Sequence, residues 1–280
     1  MSITTKQLEN YQRDGFLVLD NFVDTATCDL LRGRAESLVR EFDPRGLVSI
    51  FSTHEQSRLS DEYFLESGDK IHYFFEEHAF LPDGTLKHSK EESINKIGHA
   101  LHDLDAVFDR FSRSPQIREV VANLGIEQPL LLQSMYIFKQ PNIGGEVTCH
   151  QDSTFLYTEP IDIAGFWFAL EDATLENGCL WTIPGGHRQG LKSRWVRASR
   201  GGMQFDVLDS TPWSNEKLQP LEVTKGTLVL LHGLLPHRSL ENKSPKSRHA
   251  YTLHVIGGRC LFPQDNWLRR SPSMPLRGFE

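Results

Sequence analysis

Long apolar stretches are missing from this chain. The longest, Ile163 to Leu170, is too short to span a bilayer as a helix. The first residues, MSITTKQLENYQRDGF, are polar and lack the apolar stretch of a secretory signal. The last four, Arg277-Gly278-Phe279-Glu280, match neither a peroxisomal nor an ER-retention tail. Cysteine is scarce. Cys28, Cys149, Cys179 and Cys260 lie far apart and form no CxxC pair, which excludes a readable zinc knuckle or dithiol redox motif and suits a reducing compartment. A cytosolic location with no membrane association is the expectation. There is no excess of positive charge either: the net charge is −7, so a general affinity for nucleic acid or anionic lipid is not expected. No internal repeat, low-complexity tract or interdomain linker interrupts the chain.

What is present suits one globular domain. Of 280 residues, 39% are apolar and 24% charged, enough to bury a core without disulfides. Thr4, with Gln7 three residues on, predicts a capped first helix. Gly15 to Leu19 reads as a strand. A helix is predicted from Thr25 to Phe42, because Leu31, Ala35, Leu38 and Phe42 share one face. Residues 44–90 are less legible, with an aromatic piece at Tyr73, Phe74 and Phe75 and an Asp83-Gly84 turn. Ile94, Ile97, Leu101 and Leu104 repeat at helical spacing and predict a third helix carrying Lys96. Ser114-Pro115 predicts a further helix start, with Gly125 as its stop.

After Gln128 the texture changes. Strand-like runs are predicted at Leu130–Lys139, Gly145–Asp152, Ile163–Glu171, Cys179–Ile183, Gly226–His232, Leu235–Leu240 and Arg248–Val255, separated by Gly, Asn and Pro turns. The expected organisation is therefore a single domain over 1–280. Residues 1–128 form mostly helical support, 129–258 a β-core and 259–280 a C-terminal segment. Such a pattern points to a mainly β fold, a sandwich or jelly roll with helices on its outer face, and argues against a parallel α/β sheet.

Two clusters carry chemistry. In a strand, His150 and Asp152 of His150-Gln151-Asp152 would face the same side. With a distant second histidine they would make a 2-His-1-carboxylate set that leaves open positions on octahedral Fe(II). Alone, such a triplet also arises by chance. The second cluster is His237, Ser239, Asn242, Ser244 and Arg248. If Arg248 opens the strand after His237, antiparallel pairing would return its guanidinium to the histidine, where it could grip a carboxylate in bidentate fashion, with the Ser239 hydroxyl beside it. A surface hairpin with an ordinary salt bridge is the plainer alternative for that cluster taken alone. Lys246 is the competing cation, but Pro245 disfavours an early strand start. His187, His232, His249 and His254 are expected to be structural or loop residues, and Trp167 a core residue. Lys96, by spacing alone, would be a solvated lysine.

These residues carry a resemblance. The two clusters, with the segments Ser93–His102, Gln133–Pro141, Gly144–Val147 and Glu171–Trp181, resemble the phytanoyl-CoA dioxygenase family, from Asp14-Gly15-Phe16 to about Trp267. The resemblance implies a double-stranded β-helix holding Fe(II) through His150, Asp152 and His237. It implies 2-oxoglutarate as co-substrate, with its distal carboxylate on Arg248 and Ser239 and with Lys96, Met135 and Trp167 lining its pocket. It implies a dioxygenase that uses O2 and releases succinate and CO2 while hydroxylating a small organic substrate. Asp152 argues for hydroxylation over halogenation, since a small residue there would leave room for chloride. Cys149 stands where the family leads one to expect proline and is read as a small buried residue. A monomer is expected. A branched acyl-CoA substrate, a non-catalytic iron and 2-oxoglutarate binder, and a cupin-like enzyme without 2-oxoglutarate are the rival readings.

Overall fold

Thr4 lies extended ahead of helix α1 (Thr5–Asp14). Its hydroxyl accepts from the Gln7 backbone N–H, and the Gln7 side chain accepts from the Thr4 N–H, the reciprocal cap its sequence predicts. Gly15, at φ +82°, ends the helix and feeds strand β1 (Phe16–Leu19). A side chain at Gly15 would collide with the His187 ring, so both φ and space favour glycine here. Asp24 caps α2 (Thr25–Glu41) through Thr27, and Leu31, Ala35 and Leu38 form its buried face. The structure, a computed structural model, describes residues 3–44, 49–52 and 61–280, so part of the 44–90 segment lies outside the described residues. Strand β2 (Ile50–Phe51), the short helix α3 (Glu62–Leu65) and strand β3 (Ile71–Glu76) follow.

The predicted helix at 94–104 is a correction. Ile94–His99 is strand β4, and only Leu101–Leu104 is helical (α4). Every residue of β4 is buried, because helices cover one face and the other looks into the interior. A strand buried on both faces has no polar alternation, so Ile94 and Ile97 imitate a helical stripe; the ladder with neighbouring strands then decides. Helices α5 (Ala106–Ser112) and α6 (Pro115–Asn123) follow, with Gly125 left-handed beyond α6.

The remaining strands are β5 (Leu130–Ile137), β6 (Val147–His150), β7 (Ile163–Ala169), β8 (Leu180–Thr182), β9 (Ser193–Arg197), β10 (Met203–Val207), β11 (Gln219–Leu221), β12 (Leu228–His232), β13 (His237–Ser239) and β14 (Ala250–Ile256). A short helix α7 (Asp152–Phe155) follows β6. Eight strands form one sheet in the order β1-β12-β7-β14-β5-β4-β3-β2, and four form a second in the order β11-β8-β13-β6. Strands β9 and β10 pair as a separate hairpin. This is the jelly-roll architecture expected; among the described residues the sheets face one another without closing into a barrel. The first 128 residues hold the long helices and also supply four strands of the larger sheet.

Period-two alternation sorts the larger sheet. Phe166 and Phe168, Leu228 and Leu230, and Tyr251, Leu253 and Val255 pack outward with the buried faces of α1, α2, α5 and α6. Gly165, Trp167, Leu231, Thr252 and His254 turn inward, toward the smaller sheet. The C-terminal segment is tied back by Asp103, whose enclosed carboxylate pairs with Arg113 at 2.6 Å and with Arg270 and Arg277 at 2.9 Å. That anchoring places Trp267 against the interior cavity.

Candidate functional site

Between the two sheets lies a cavity of about 170 Å3. His150, Asp152 and His237 meet on its wall: one donor atom from each lies within 4.8 Å of the others. His150 ends β6, and β13 sets His237 directly opposite it. Asp152 differs from expectation. It is not on the strand but is the first residue of α7, after Gln151 has left the ladder. The carboxylate is aimed by that turn, not by strand alternation. Gln151 holds the turn, its amide donating to Gly190 O and Leu234 O at 2.8 Å.

The tautomers follow from the neighbours. His150 Nδ1 lies 2.8 Å from Thr148 O and His237 Nδ1 lies 3.0 Å from Leu235 O. A carbonyl only accepts, so each Nδ1 carries a proton, and Nε2 is the ring atom each histidine turns toward the metal position. Those Nε2 atoms stand 3.9 and 3.7 Å from Asp152 Oδ1. Two imidazole lone pairs and one carboxylate oxygen around a common point form a donor set suited to a divalent metal such as Fe(II). Burial works to raise the Asp152 carboxyl pKa, but His254, His237 and His150 outweigh it and hold it well below the usual range.

His254 was expected to be structural and proves to belong to this site. From β14 its Nε2 reaches Asp152 Oδ2 at 3.3 Å, on the far side of the carboxylate from His150 and His237. A parity signal existed in the sequence: counting in twos, Arg248, Thr252 and His254 share a face. Gly165, opposite His254 in the ladder, completes the fit, since a Cβ there would stand 2.8 Å from Asp152 Oδ2. Replacing His254 with Ala should weaken metal binding about 10–100-fold, the usual effect of removing a group that orients a ligand. Metal titration by calorimetry measures this, and an unchanged affinity would assign His254 to packing alone.

Arg248 sits at the other end of the expected set, and here too the route differs. Strand β14 begins at Ala250, two residues later, and β13 belongs to the other sheet. Arg248 therefore reaches Ser239 across the interior and not along a shared ladder, because the chain between them crosses from the smaller sheet to the larger. Its side chain is fully enclosed, with Nη2 3.4 Å from Ser239 Oγ and the guanidinium 5.2 Å from the Trp167 ring. Nε and Nη1 have no protein partner. Burial lowers the pKa to about 10, so the group stays charged at neutral pH. A buried cation with spare N–H groups is a receptor for a carboxylate.

Lys96, on β4, turns into the same cavity with Nζ 3.9 Å from Met135 Sδ and 3.5 Å from the Phe51 ring centroid. Met135, Thr252 and Trp167 stand side by side on β5, β14 and β7. Phe64, Phe155, Trp195 and Trp267 add an aromatic wall to the lining. Cys149 does not line the cavity; its thiol is half-buried and burial pushes it up to about 11. His187 and His232 pack together beside α1, and His249 hydrogen-bonds the Tyr136 hydroxyl at 2.9 Å. None of those three lines the cavity.

A family profile described as phytanoyl-CoA dioxygenase matches residues 11–250. A relative from Arabidopsis thaliana named phytanoyl-CoA dioxygenase is 46% identical over 271 residues, covering 96% of this chain and 95% of that protein. A mouse protein named phytanoyl-CoA dioxygenase domain-containing protein 1 is 45% identical over 283 residues, covering 98% and 97%. In three dimensions the chain is similar to the non-haem, alpha-ketoglutarate-dependent carbocyclase SnoK of nogalamycin biosynthesis. The TM-score is 0.67 at 16% identity, covering 98% and 94% of the two chains, which is a likeness of fold. The chain belongs to the phytanoyl-CoA dioxygenase family.

Proposed function

We propose that this enzyme hydroxylates a small organic substrate, holding Fe(II) on His150, Asp152 and His237 and 2-oxoglutarate between that metal and Arg248. The observation that carries the reading is one cavity bearing both a three-donor cluster and a buried guanidinium with unpartnered N–H groups. When bound, the iron and co-substrate supply oxygen activation coupled to release of succinate and CO2. The protein's own groups do the rest. Thr148 and Leu235 carbonyls fix the two imidazoles, and His254 fixes Asp152. Ser239 and Arg248 take the distal carboxylate, while Trp167, Met135 and Lys96 shape the space beside it. Phe155, Trp195 and Trp267 keep water from the reacting end. That aromatic wall favours a small, largely apolar substrate over a CoA thioester, whose phosphates call for several cations at the mouth. Cytosolic residence fits four cysteines that are all free thiols.

The test is succinate formation by Fe(II)-loaded protein under O2, first without substrate and then with fractionated metabolites, read alongside mass gain of one oxygen. Substrate-stimulated succinate with a matching hydroxylated product is the expected result. Fe(II) and 2-oxoglutarate binding without succinate in any fraction would support a non-catalytic sensor instead.

A further inference from the structure

The strand that delivers Met135 runs on to a further enclosed cation. Lys139 is 1% exposed and lines the same cavity as Arg248. Its Nζ donates one hydrogen bond, to Gly145 O at 2.5 Å, and among the described residues no carboxylate lies within ion-pair distance of it. Glu76, the nearest acid by its electrostatic influence, spends Oε2 on Asn95 and the Gly145 N–H, and its Oε1 has no partner. A buried ammonium with two idle N–H groups is costly unless something else pairs with it. Its backbone is also constrained: at φ +43°, Lys139 holds a left-handed conformation that a long side chain rarely adopts.

The remaining members of the second sequence cluster hold it there. Asn242 Nδ2 donates to Lys139 O at 2.9 Å and to Lys246 O at 2.7 Å, and the Arg248 N–H donates to Lys139 O at 3.3 Å. Ser244 in turn donates to Asn242 Oδ1. Asn242 therefore staples the backbone of Lys139 to that of Lys246, and the Arg248 N–H adds a direct link to the same carbonyl. Gly178 shows where the side chain runs: a Cβ there would stand 2.7 Å from Lys139 Cε and 3.5 Å from Ser239 Oγ. So the lysine passes beside the hydroxyl that also meets Arg248.

We infer that Lys139 is a second cation for the distal carboxylate of the co-substrate, making the subsite selective for 2-oxo dicarboxylates over 2-oxo monocarboxylates. The inference rests on the reading of Arg248 given above. Two cations enclosed together repel, and a carboxylate placed between them relieves both. In keeping with this, burial and then the Arg248 charge lower the Lys139 pKa, against the pull of Glu76, Glu146 and Glu241.

The experiment measures equilibrium binding of 2-oxoglutarate and of 2-oxopentanoate, which has the same chelating end and no distal carboxylate. It uses anaerobic Fe(II)-loaded protein and follows tryptophan fluorescence. Lys139→Met is compared with the double variant Lys139→Met/Glu76→Gln, which leaves no unpaired buried carboxylate and so keeps the test available if the single variant fails to fold. The expected result is a 2-oxoglutarate Kd raised about ten- to a hundredfold, as for loss of a charged hydrogen bond, with 2-oxopentanoate unchanged. On the unmutated chain the preference for the dicarboxylate should also shrink as pH rises and Lys139 loses its proton. Metal-ligand titration cancels in that ratio. Wild-type binding of both acids by the double variant, or equal weakening of both, would make Lys139 a structural partner of Glu76 and overturn the inference. Wild-type 2-oxoglutarate binding by Arg248→Ala would instead show that the reading of Arg248 had failed.

Discussion

His150→Ala and Asp152→Ala should each lose Fe(II) binding and 2-oxoglutarate decarboxylation together while keeping a cooperative thermal transition. The three donors converge within 4.8 Å, so removing one leaves a two-point site that cannot hold a labile divalent ion against solvent. The scaffold does not depend on either residue. His150 is half-buried at the end of a short strand, and the outward core of the larger sheet lies elsewhere. In the metal-free protein, Asp152→Ala also removes an enclosed carboxylate surrounded by three histidines, so its stability cost is set by what His254 loses. Iron content by colorimetric assay, succinate yield and melting curves on the same preparations check the three parts. Near wild-type turnover in His150→Ala would show that the metal is held by other residues.

Arg248→Ala should raise the 2-oxoglutarate requirement by one to several orders of magnitude, with iron affinity little changed. A distal carboxylate brought into this enclosed end would lose its bidentate partner, at a cost of roughly 2–5 kcal/mol for breaking a buried charge pair. Lys246→Ala should be nearly silent. Two residues separate the positions, but Lys246 is exposed and contributes its backbone carbonyl to Asn242 and Ser244, whereas Arg248 is sealed inside. Lysine would be a poorer replacement than its charge suggests, because the flat guanidinium lies over Trp167 and offers two parallel N–H groups. Succinate production titrated against 2-oxoglutarate separates the two variants. A strong defect in Lys246→Ala with a mild one in Arg248→Ala would reverse the assignment.

The sequence by itself determined the local facts and the chemical vocabulary. The Thr4–Gln7 cap, the buried face of α2 and most strand positions after Gln128 are set by neighbours a few residues away, and the structure has them there. The order His150, Asp152, His237, Ser239, Arg248 was legible because a metal donor set and a carboxylate grip require those side-chain types in that company. Tertiary structure alone decided how they meet. Ile94–His99 became a strand because β3 and β5 flank it, and burial on both faces erased the alternation that would have marked it. Asp152 is aimed by a helical turn, and Arg248 reaches Ser239 across the space between sheets, not along a hairpin. The grip of His254 on Asp152, the room left by Gly165 and the enclosure of Lys139 all depend on which strand lies beside or across from which. Contacts between elements distant in sequence arise only once the two sheets face each other, and no local period or spacing encodes them.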